Sequence, residues 1–165
     1  RVLFRSREKL LDVSGRGRSR QLQMIKDYGL KYYEKPGGGC LLTDIQVSNK
    51  IKNLKEYREM VFEDSVIVKN GRYFVLSHNA RLVVARNEEE NYKLDIEHPL
   101  MDKIELLSCK GPLSLVDKNA SKEDKELAGR IALGYAKTLK NQAYLIQIGD
   151  EKRELYPLED RKSVV

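Results

Sequence analysis

Cysteine and histidine are scarce in this sequence. Its 165 residues include two cysteines, Cys40 and Cys109, which lie far apart, and two histidines. None of the four falls at the CxxC or HxxxH spacing of a structural zinc site, and two distant thiols do not make a disulfide framework. The sequence therefore predicts a protein without a metal site that works in a reducing cytoplasm.

Long apolar runs are also missing. No stretch approaches the length of a membrane span, and no signal-peptide pattern is present. With 41% hydrophobic and 34% charged residues, the composition is typical of a globular protein rather than a disordered one. We therefore expect a cytoplasmic protein with no membrane partner.

Both ends of the sequence are compatible with the codons of a sequencing adapter. Residues 1–6 and 160–165 can be encoded by DNA containing GCTCTTCCGATC and its reverse complement, GATCGGAAGAGC. We expect these ends to be artefacts, and 7–159 to be a segment cut from a longer protein on both sides. The ends supply three of the six net positive charges, which leaves +3 for the segment. That charge is too small to indicate nucleic-acid binding by itself.

Apolar periodicity and turn residues predict an α+β protein with a short mixed, mostly antiparallel sheet and packed helices. Helices are expected over 16–28, 45–60, 88–96 and 122–138. Strands are expected over 65–69, 72–76, 81–85, 103–108, 113–117 and 143–149. Asn70-Gly71 indicates a hairpin between the first two strands. The predicted N-caps are Ser14, Asn87 and Ser121, and Glu90 completes a capping box with Asn87.

The segment 36–44, Pro-Gly-Gly-Gly-Cys-Leu-Leu-Thr-Asp, places Cys40 at the predicted start of a helix. Backbone N–H groups at a helix N-terminus favour a thiolate, the form that attacks or carries sulfur, whereas Asp44 acts in the opposite direction. The alternative is a flexible turn followed by a small buried thiol. These residues alone leave both interpretations open. We expect Cys109, at the end of a strand pattern, to be a core thiol.

Residues 14–44 resemble the last part of the PP-loop domain in tRNA sulfurtransferase-like proteins, the thiouridylases. There a Pro-x-Gly-Gly-Cys-Leu-Leu-Thr-Asp segment closes the catalytic domain. The resemblance implies that 7–44 is a helical remnant of an α/β domain, that Cys40 is catalytic, and that the parent uses ATP and a sulfur-donor protein. The Ser-Gly-Gly-x-Asp-Ser-like turn that holds pyrophosphate does not occur in this sequence. This chain is therefore expected to hold no cofactor and to be inactive alone.

Residues 71–74 (GRYF) and 85–94 (ARNEEENYKL) resemble the RNA-binding domain called NFACT-R. Tyr135 and Lys137 resemble a Tyr-Ser-Lys of the two-part proteins that carry it. The sequence departs from NFACT-R at Ala85, where that domain has glycine. It departs again at 111–114, Gly-Pro-Leu-Ser, which replaces a Gly-Ser-His turn. The resemblance implies an RNA-binding domain over 45–159.

Cations and aromatic rings alternate along the predicted sheet. This pattern suits RNA, because guanidinium groups pair with phosphates and rings stack on unpaired bases. Arginines in the first turns of the first helix oppose the helix dipole, which indicates an anionic partner. The predicted RNA-binding residues are Arg16, Arg18, Arg20, Arg72, Tyr73, Arg81, Arg86, Asn87, Asn91, Tyr92 and Lys137. Each also has a structural explanation, as a solvated or packed sheet face, a solvated helix face or a helix cap.

Together these patterns predict a fragment of a tRNA-modifying transferase that performs ATP-dependent tRNA thiolation. In this hypothesis the chain contributes tRNA binding and a sulfur-relay cysteine. The alternative is a non-catalytic NFACT-R-like module that captures tRNA or ribosomes, with Cys40 in a structural role. A methyltransferase is a third hypothesis, but no glycine-rich cofactor loop supports it.

Overall fold

The structure is a computed structural model that describes residues 18–32 and 44–158. The chain divides into two compact units, Arg1–Ile45 and Gln46–Val165. Cys40, Arg16, Ser14 and both predicted adapter ends lie outside the described residues. No helix in the described ranges is long and apolar enough to cross a membrane.

The described residues form five helices and six strands. The helices are α1 (Ser19–Asp27), α2 (Ile45–Tyr57), α3 (Asp64–Lys69), α4 (Glu88–Leu94) and α5 (Lys122–Gly134). The strands are β1 (Arg72–Val75), β2 (Arg81–Val84), β3 (Met101–Leu106), β4 (Ser114–Asp117), β5 (Tyr144–Ile148) and β6 (Glu151–Leu155). Only α1 belongs entirely to the first unit.

The six strands form one sheet in the order β1-β2-β4-β3-β5-β6. All five pairings between neighbours are antiparallel, and no parallel pair occurs among the described strands. The predicted α+β class is confirmed. Because antiparallel strands need no crossover helix, the helices lie on the sheet without alternating with its strands.

The sheet has a hydrophobic cluster on each face. On one face, side chains of α5 such as Ile131 and Ala132 pack against strand residues including Leu82 and Val116. On the other, side chains of α2, α3 and α4 surround Val83 and Leu115. The central strands β2 and β4 are buried on both faces. Burial of each Leu or Val side chain contributes about 1.5–3 kcal/mol to folding. Burial on both faces therefore favours β2 and β4 in the interior of the sheet rather than at its edges.

The predicted strand at 65–69 is wrong, because these residues form α3. Their β-branched composition favours a strand, but a helix lets Ile67 and Val68 both enter the core beneath the sheet. The Asn70-Gly71 hairpin is therefore wrong as well. The first hairpin joins β1 to β2 through residues 76–80, where Asn79 adopts φ 69° and Leu76 N donates to Ala80 O at 2.8 Å.

Helix α5 holds that hairpin in place through one carboxylate. Asp124 is buried and accepts hydrogen bonds from the backbone N–H groups of His78 and Ala80, each at 3.1 Å. Its own N–H donates to Ser121 Oγ at 3.1 Å, which confirms Ser121 as the N-cap of α5. The sequence of the turn at 76–80 does not reveal this stabilisation, because Asp124 lies more than 40 residues farther along the chain.

One strand was not predicted, and several element boundaries differ from the prediction. Strand β6 was missed because its sequence, EKREL, has no apolar alternation; it follows β5 through a tight turn in which Gly149 adopts φ 56°. Helix α5 ends at Gly134 rather than near 138. Helix α1 begins at Ser19, with Arg18 in the N-cap position and no side-chain capping bond.

A buried ion pair ties α2 and α3 to the loop before β3. Asp64 is fully buried and accepts from Arg58 Nη1 at 2.8 Å, from Arg58 Nη2 at 2.7 Å and from Val61 N at 2.8 Å. His98 Nε2 lies 3.1 Å from Asp64 Oδ1, and His98 Nδ1 accepts from Leu100 N at 3.2 Å. His98 is therefore a neutral imidazole that donates through Nε2.

The pKa values of the two partners follow from this geometry. Burial acts to raise the pKa of Asp64, but the hydrogen bonds from Arg58 and Val61 hold it below its ordinary value. Burial lowers the pKa of His98, and the neighbouring Asp64 offsets part of that effect. The carboxylate therefore stays charged and the imidazole stays neutral near pH 7.

Candidate nucleic-acid interface

A cleft of about 980 Å³ opens at one end of the sheet. It lies where β1 begins, where β2 and β3 end, and where α5 ends. Four cationic side chains line it: Arg72, Arg86, Lys110 and Lys137. Because these residues come from four separate places in the sequence, folding concentrates a positive charge that the overall composition does not show.

Arg72, the first residue of β1, is fixed by two interactions. Its guanidinium carbon lies 4.5 Å from the centre of the Tyr135 ring, and Nη1 donates to Ala85 O at 3.3 Å. Tyr135 in turn packs against the core at the end of α5. A guanidinium has five N–H donors, so Arg72 is oriented while most of its donors remain for a ligand in the cleft.

Arg86 lies two residues beyond the end of β2, the strand that pairs with β1, and it is partly neutralised. Its Nη2 donates to Gly71 O at 2.9 Å, and its Nη1 lies 3.6 Å from Glu90 Oε1. The Arg86 side chain is about half exposed, so solvent screens this ion pair and its contribution is small. A phosphate could therefore replace Glu90 at little cost.

Asn87 and Asn91 position α4 along the same cleft. Asn87 Oδ1 accepts from Glu90 N at 2.9 Å, which confirms the predicted N-cap. The Glu90 carboxylate accepts from Arg86 N at 2.7 Å, one residue earlier than a capping box requires. Asn91 Oδ1 accepts from Leu113 N at 3.0 Å and so ties α4 to the segment before β4.

Two lysines complete the cleft from adjacent loops. Lys137 N donates to Lys110 O at 3.4 Å, so the segment after α5 and the segment after β3 lie side by side. Gly111 permits this approach, because a Cβ there would lie 2.5 Å from Ala136 Cβ. Lys110 was not predicted from the sequence. Its only local signal is its position just before Gly-Pro, at the turn that departs from NFACT-R.

Cys109 also lines the cleft, and it packs against the core. Burial raises the pKa of its thiol, so the group is a neutral thiol near pH 7 rather than a nucleophile.

Tyr73 and Arg81 serve the interior of the fold. Tyr73 Oη donates to Asn53 Oδ1 at 3.0 Å, and burial raises the pKa of Tyr73 to about 12. Arg81 is 4% exposed; its guanidinium lies over the Tyr57 ring at 4.0 Å and its Nε donates to Asn53 Oδ1 at 2.8 Å. Neither residue lines the cleft, so RNA contacts for this pair stay a prediction.

The remaining predicted residues that the structure describes are not among those that line the cleft. Tyr92 is 75% exposed on α4 and lines a smaller neighbouring pocket. Arg18 and Arg20 are at the start of α1, which belongs to the first unit. The first turn of α1 contains no acidic residue. RNA contacts for these residues stay a prediction, as does the role of Cys40.

The family of the chain follows from its sequence. The sequence model of the family described as "NFACT protein RNA binding domain" matches residues 71–161, more than half of the chain. The chain belongs to this family. All the residues that line the cleft fall within the span matched by the NFACT family. The span leaves out 7–44, so the family match gives no support to a thiouridylase parent.

A solved structure supports the same fold. It is described as "the C-terminal of the fibronectin/fibrinogen-binding protein from Streptococcus suis (FBPS)" and is similar to this chain with a TM-score of 0.51 at 14% identity. The similarity covers 72% of this chain and 60% of that one. Comparison with curated proteins gives no significant match. The family match identifies an RNA-binding domain, and the solved structure supports its α+β fold.

Proposed function

We propose that the cleft at the end of the sheet is the RNA site of this NFACT domain and that its partner is tRNA. The observation that carries the proposal is the convergence of Arg72, Arg86, Lys110 and Lys137 on one concave surface. Each of the four cationic side chains can bind a phosphate. The Arg72 guanidinium, which lies on the Tyr135 ring, also offers a flat surface on which an unpaired base can stack. The work of the domain is capture of tRNA, alone or on the ribosome, in the cytoplasm.

A salt titration tests this proposal. If the four cations each neutralise one phosphate, log K for tRNA should fall with log salt at a slope of roughly −3. The Lys137→Gln variant should reduce the magnitude of that slope by about 0.7, because one phosphate fewer is neutralised and fewer counterions leave the RNA on binding. The variant should weaken binding to all tRNAs alike. The measurement is fluorescence anisotropy with the 165-residue chain over a range of salt concentrations.

Lys122→Gln is the matched control, since Lys122 is an exposed lysine at the start of α5, whereas Lys137 follows the end of that helix. It should leave the slope unchanged. Equal slopes for the two variants, or equal competition by a DNA duplex, would contradict the assignment of the cleft.

A second, catalytic proposal concerns Cys40 and rests on the resemblance of 36–44 to the closing segment of thiouridylases. In a longer protein that carries a PP-loop and uses ATP, Cys40→Ser should abolish tRNA thiolation, because serine keeps the volume but cannot carry a persulfide. Affinity for tRNA should stay nearly unchanged. The measurement is the thiouridine content of tRNA after reaction with a sulfur-donor protein; retained thiolation would leave Cys40 with a structural role.

A further inference from the structure

A smaller pocket of about 290 Å³ adjoins the basic cleft. Its lining consists of Glu88, Asn91, Tyr92, Asp95, Glu105 and Leu113. Four of these residues also line the cleft, so the two spaces are continuous. The chemistry differs between them. The cleft sets four cations beside Glu88 and Glu105, the two carboxylates that it shares with the pocket, whereas the lining of the pocket combines three carboxylates with an aromatic ring. A phosphate would be repelled from the pocket, so its ligand must carry hydrogen-bond donors.

The hydrogen-bonding capacity of this pocket can be assigned group by group. Asn91 Oδ1 is occupied by Leu113 N, so its amide NH2 remains as a donor. Asp95 Oδ1 accepts from Lys103 Nζ at 2.9 Å. Within the ranges that the structure describes, the carboxylates of Glu88 and Glu105 have no hydrogen-bond or ion-pair partner. Of these two, Glu105 belongs to a strand, β3, which makes it the more rigidly placed acceptor.

Tyr92 supplies the flat surface. Its side chain extends from α4 with 75% of the residue exposed, although the same helix buries Leu94 completely. Base stacking on such a ring stabilises binding whichever base is bound. Selectivity must therefore come from the polar groups beside the ring.

A carboxylate beside a donor amide selects one base. The Watson–Crick edge of guanine presents two adjacent donors, N1–H and N2–H2, next to the acceptor O6. Adenine and cytosine each offer a single amino group beside an acceptor nitrogen, and uracil offers one N–H between two acceptors. Only guanine gives a carboxylate two parallel hydrogen bonds, the arrangement that makes such pairs strong and directional.

We infer that this pocket binds an unpaired guanine whose neighbouring phosphates occupy the basic cleft. The base stacks on Tyr92, Glu105 accepts from N1–H and N2–H2, and the Asn91 amide donates to O6. The inference rests on the proposed function, because the cleft must hold the RNA strand that delivers the base. It adds a base preference to a cleft whose phosphate contacts are independent of sequence.

Short single-stranded RNAs test the preference directly. The 165-residue chain should bind UUGUU about ten-fold more tightly than UUAUU, UUCUU or UUUUU, as expected for a bidentate base contact. Inosine in place of guanine removes the N2 amine and should abolish most of the difference. 7-Deazaguanine keeps N1–H, N2–H2 and O6, and should bind like guanine. Equal affinities for the four RNAs would overturn the inference while leaving the cleft as a phosphate site; no binding at low salt would overturn both.

Variants separate recognition from simple charge. Glu105→Gln should reduce the guanine preference to about two-fold, whereas Glu126→Gln, an exposed glutamate on α5, should leave it unchanged. Tyr92→Leu should weaken binding of all four RNAs by a similar factor, because stacking is tolerant of sequence. If Glu105→Gln strengthens binding of every RNA equally and keeps the preference, Glu105 acts only by repelling phosphate and the inference is wrong.

Discussion

Replacing Asp64 with asparagine is expected to cost about 3–5 kcal/mol of folding free energy. The carboxylate is fully buried, and it is the acceptor for both terminal nitrogens of Arg58, for Val61 N and for His98 Nε2. Asparagine keeps the shape but removes the charge and one acceptor oxygen. The partly buried Arg58 guanidinium then keeps only the more distant Asp117, whose Oδ1 lies 3.9 Å from Arg58 Nε, and the new NH2 group faces two of the four donors. Chemical denaturation at pH 7 measures the loss as a shift in midpoint.

Asp95→Asn provides the comparison for this variant. Asp95 also pairs with a cation, Lys103, but 62% of its side chain is exposed. Solvent screens that pair, so the variant should change stability by less than about 1 kcal/mol. Equal effects at Asp64 and Asp95 would show that the interior pair contributes no more than a surface pair.

Gly71→Ala is expected to destabilise the domain by about 2–4 kcal/mol and also to weaken RNA binding. Gly71 adopts φ 74°, which alanine reaches only with strain, and a Cβ there would lie 2.6 Å from Val83 Cγ1 and 3.0 Å from Val84 O. The carbonyl of Gly71 accepts from Arg86 Nη2 and Lys50 Nζ, so any shift of this residue displaces one wall of the cleft. Thermal unfolding and tRNA titration measure the two effects.

Gly29→Ala isolates the contribution of the backbone. Gly29 adopts φ 60°, yet a Cβ there would meet nothing within 4 Å. Its cost should be confined to backbone strain, about 1 kcal/mol, with tRNA affinity unchanged. A Gly71 variant as stable as the Gly29 variant would mean that Val83 and Val84 move aside at little cost, which would contradict the expected clash with β2.

The sequence predicted those elements whose signals are local. Asn87 and Ser121 were identified as N-caps because a cap is decided within four residues, and the apolar stripe of α2 is visible in Val47 and Leu54. Residues 65–69 were misassigned because burial of Ile67 and Val68 outweighs their preference for strands. Strand β6 was missed because its charged sequence acquires order only by pairing with β5.

The residues of the cleft, too, could be predicted only where their signals are local in the sequence. Arg72, Arg86, Asn87, Asn91 and Lys137 were all named from sequence, and the structure brings these five residues to one surface. Tyr73 and Arg81 belong to the same motifs, but alternation along β1 and the interior contacts of Arg81 direct them elsewhere. Lys110 could not be predicted, since its place depends on contact between two loops that are distant in sequence.

The hydrogen bond between Lys137 N and Lys110 O has a thermodynamic consequence. The cations of the cleft come together only when β1, the segments after β2 and β3 and the segment after α5 have all folded. In an unfolded chain these charges are far apart and form no RNA-binding site. RNA that binds this surface therefore acts as a ligand of the native state alone. At a hundred times its Kd such a ligand adds about 2.7 kcal/mol to the free energy of unfolding, so bound RNA would stabilise the folded domain in proportion to its concentration.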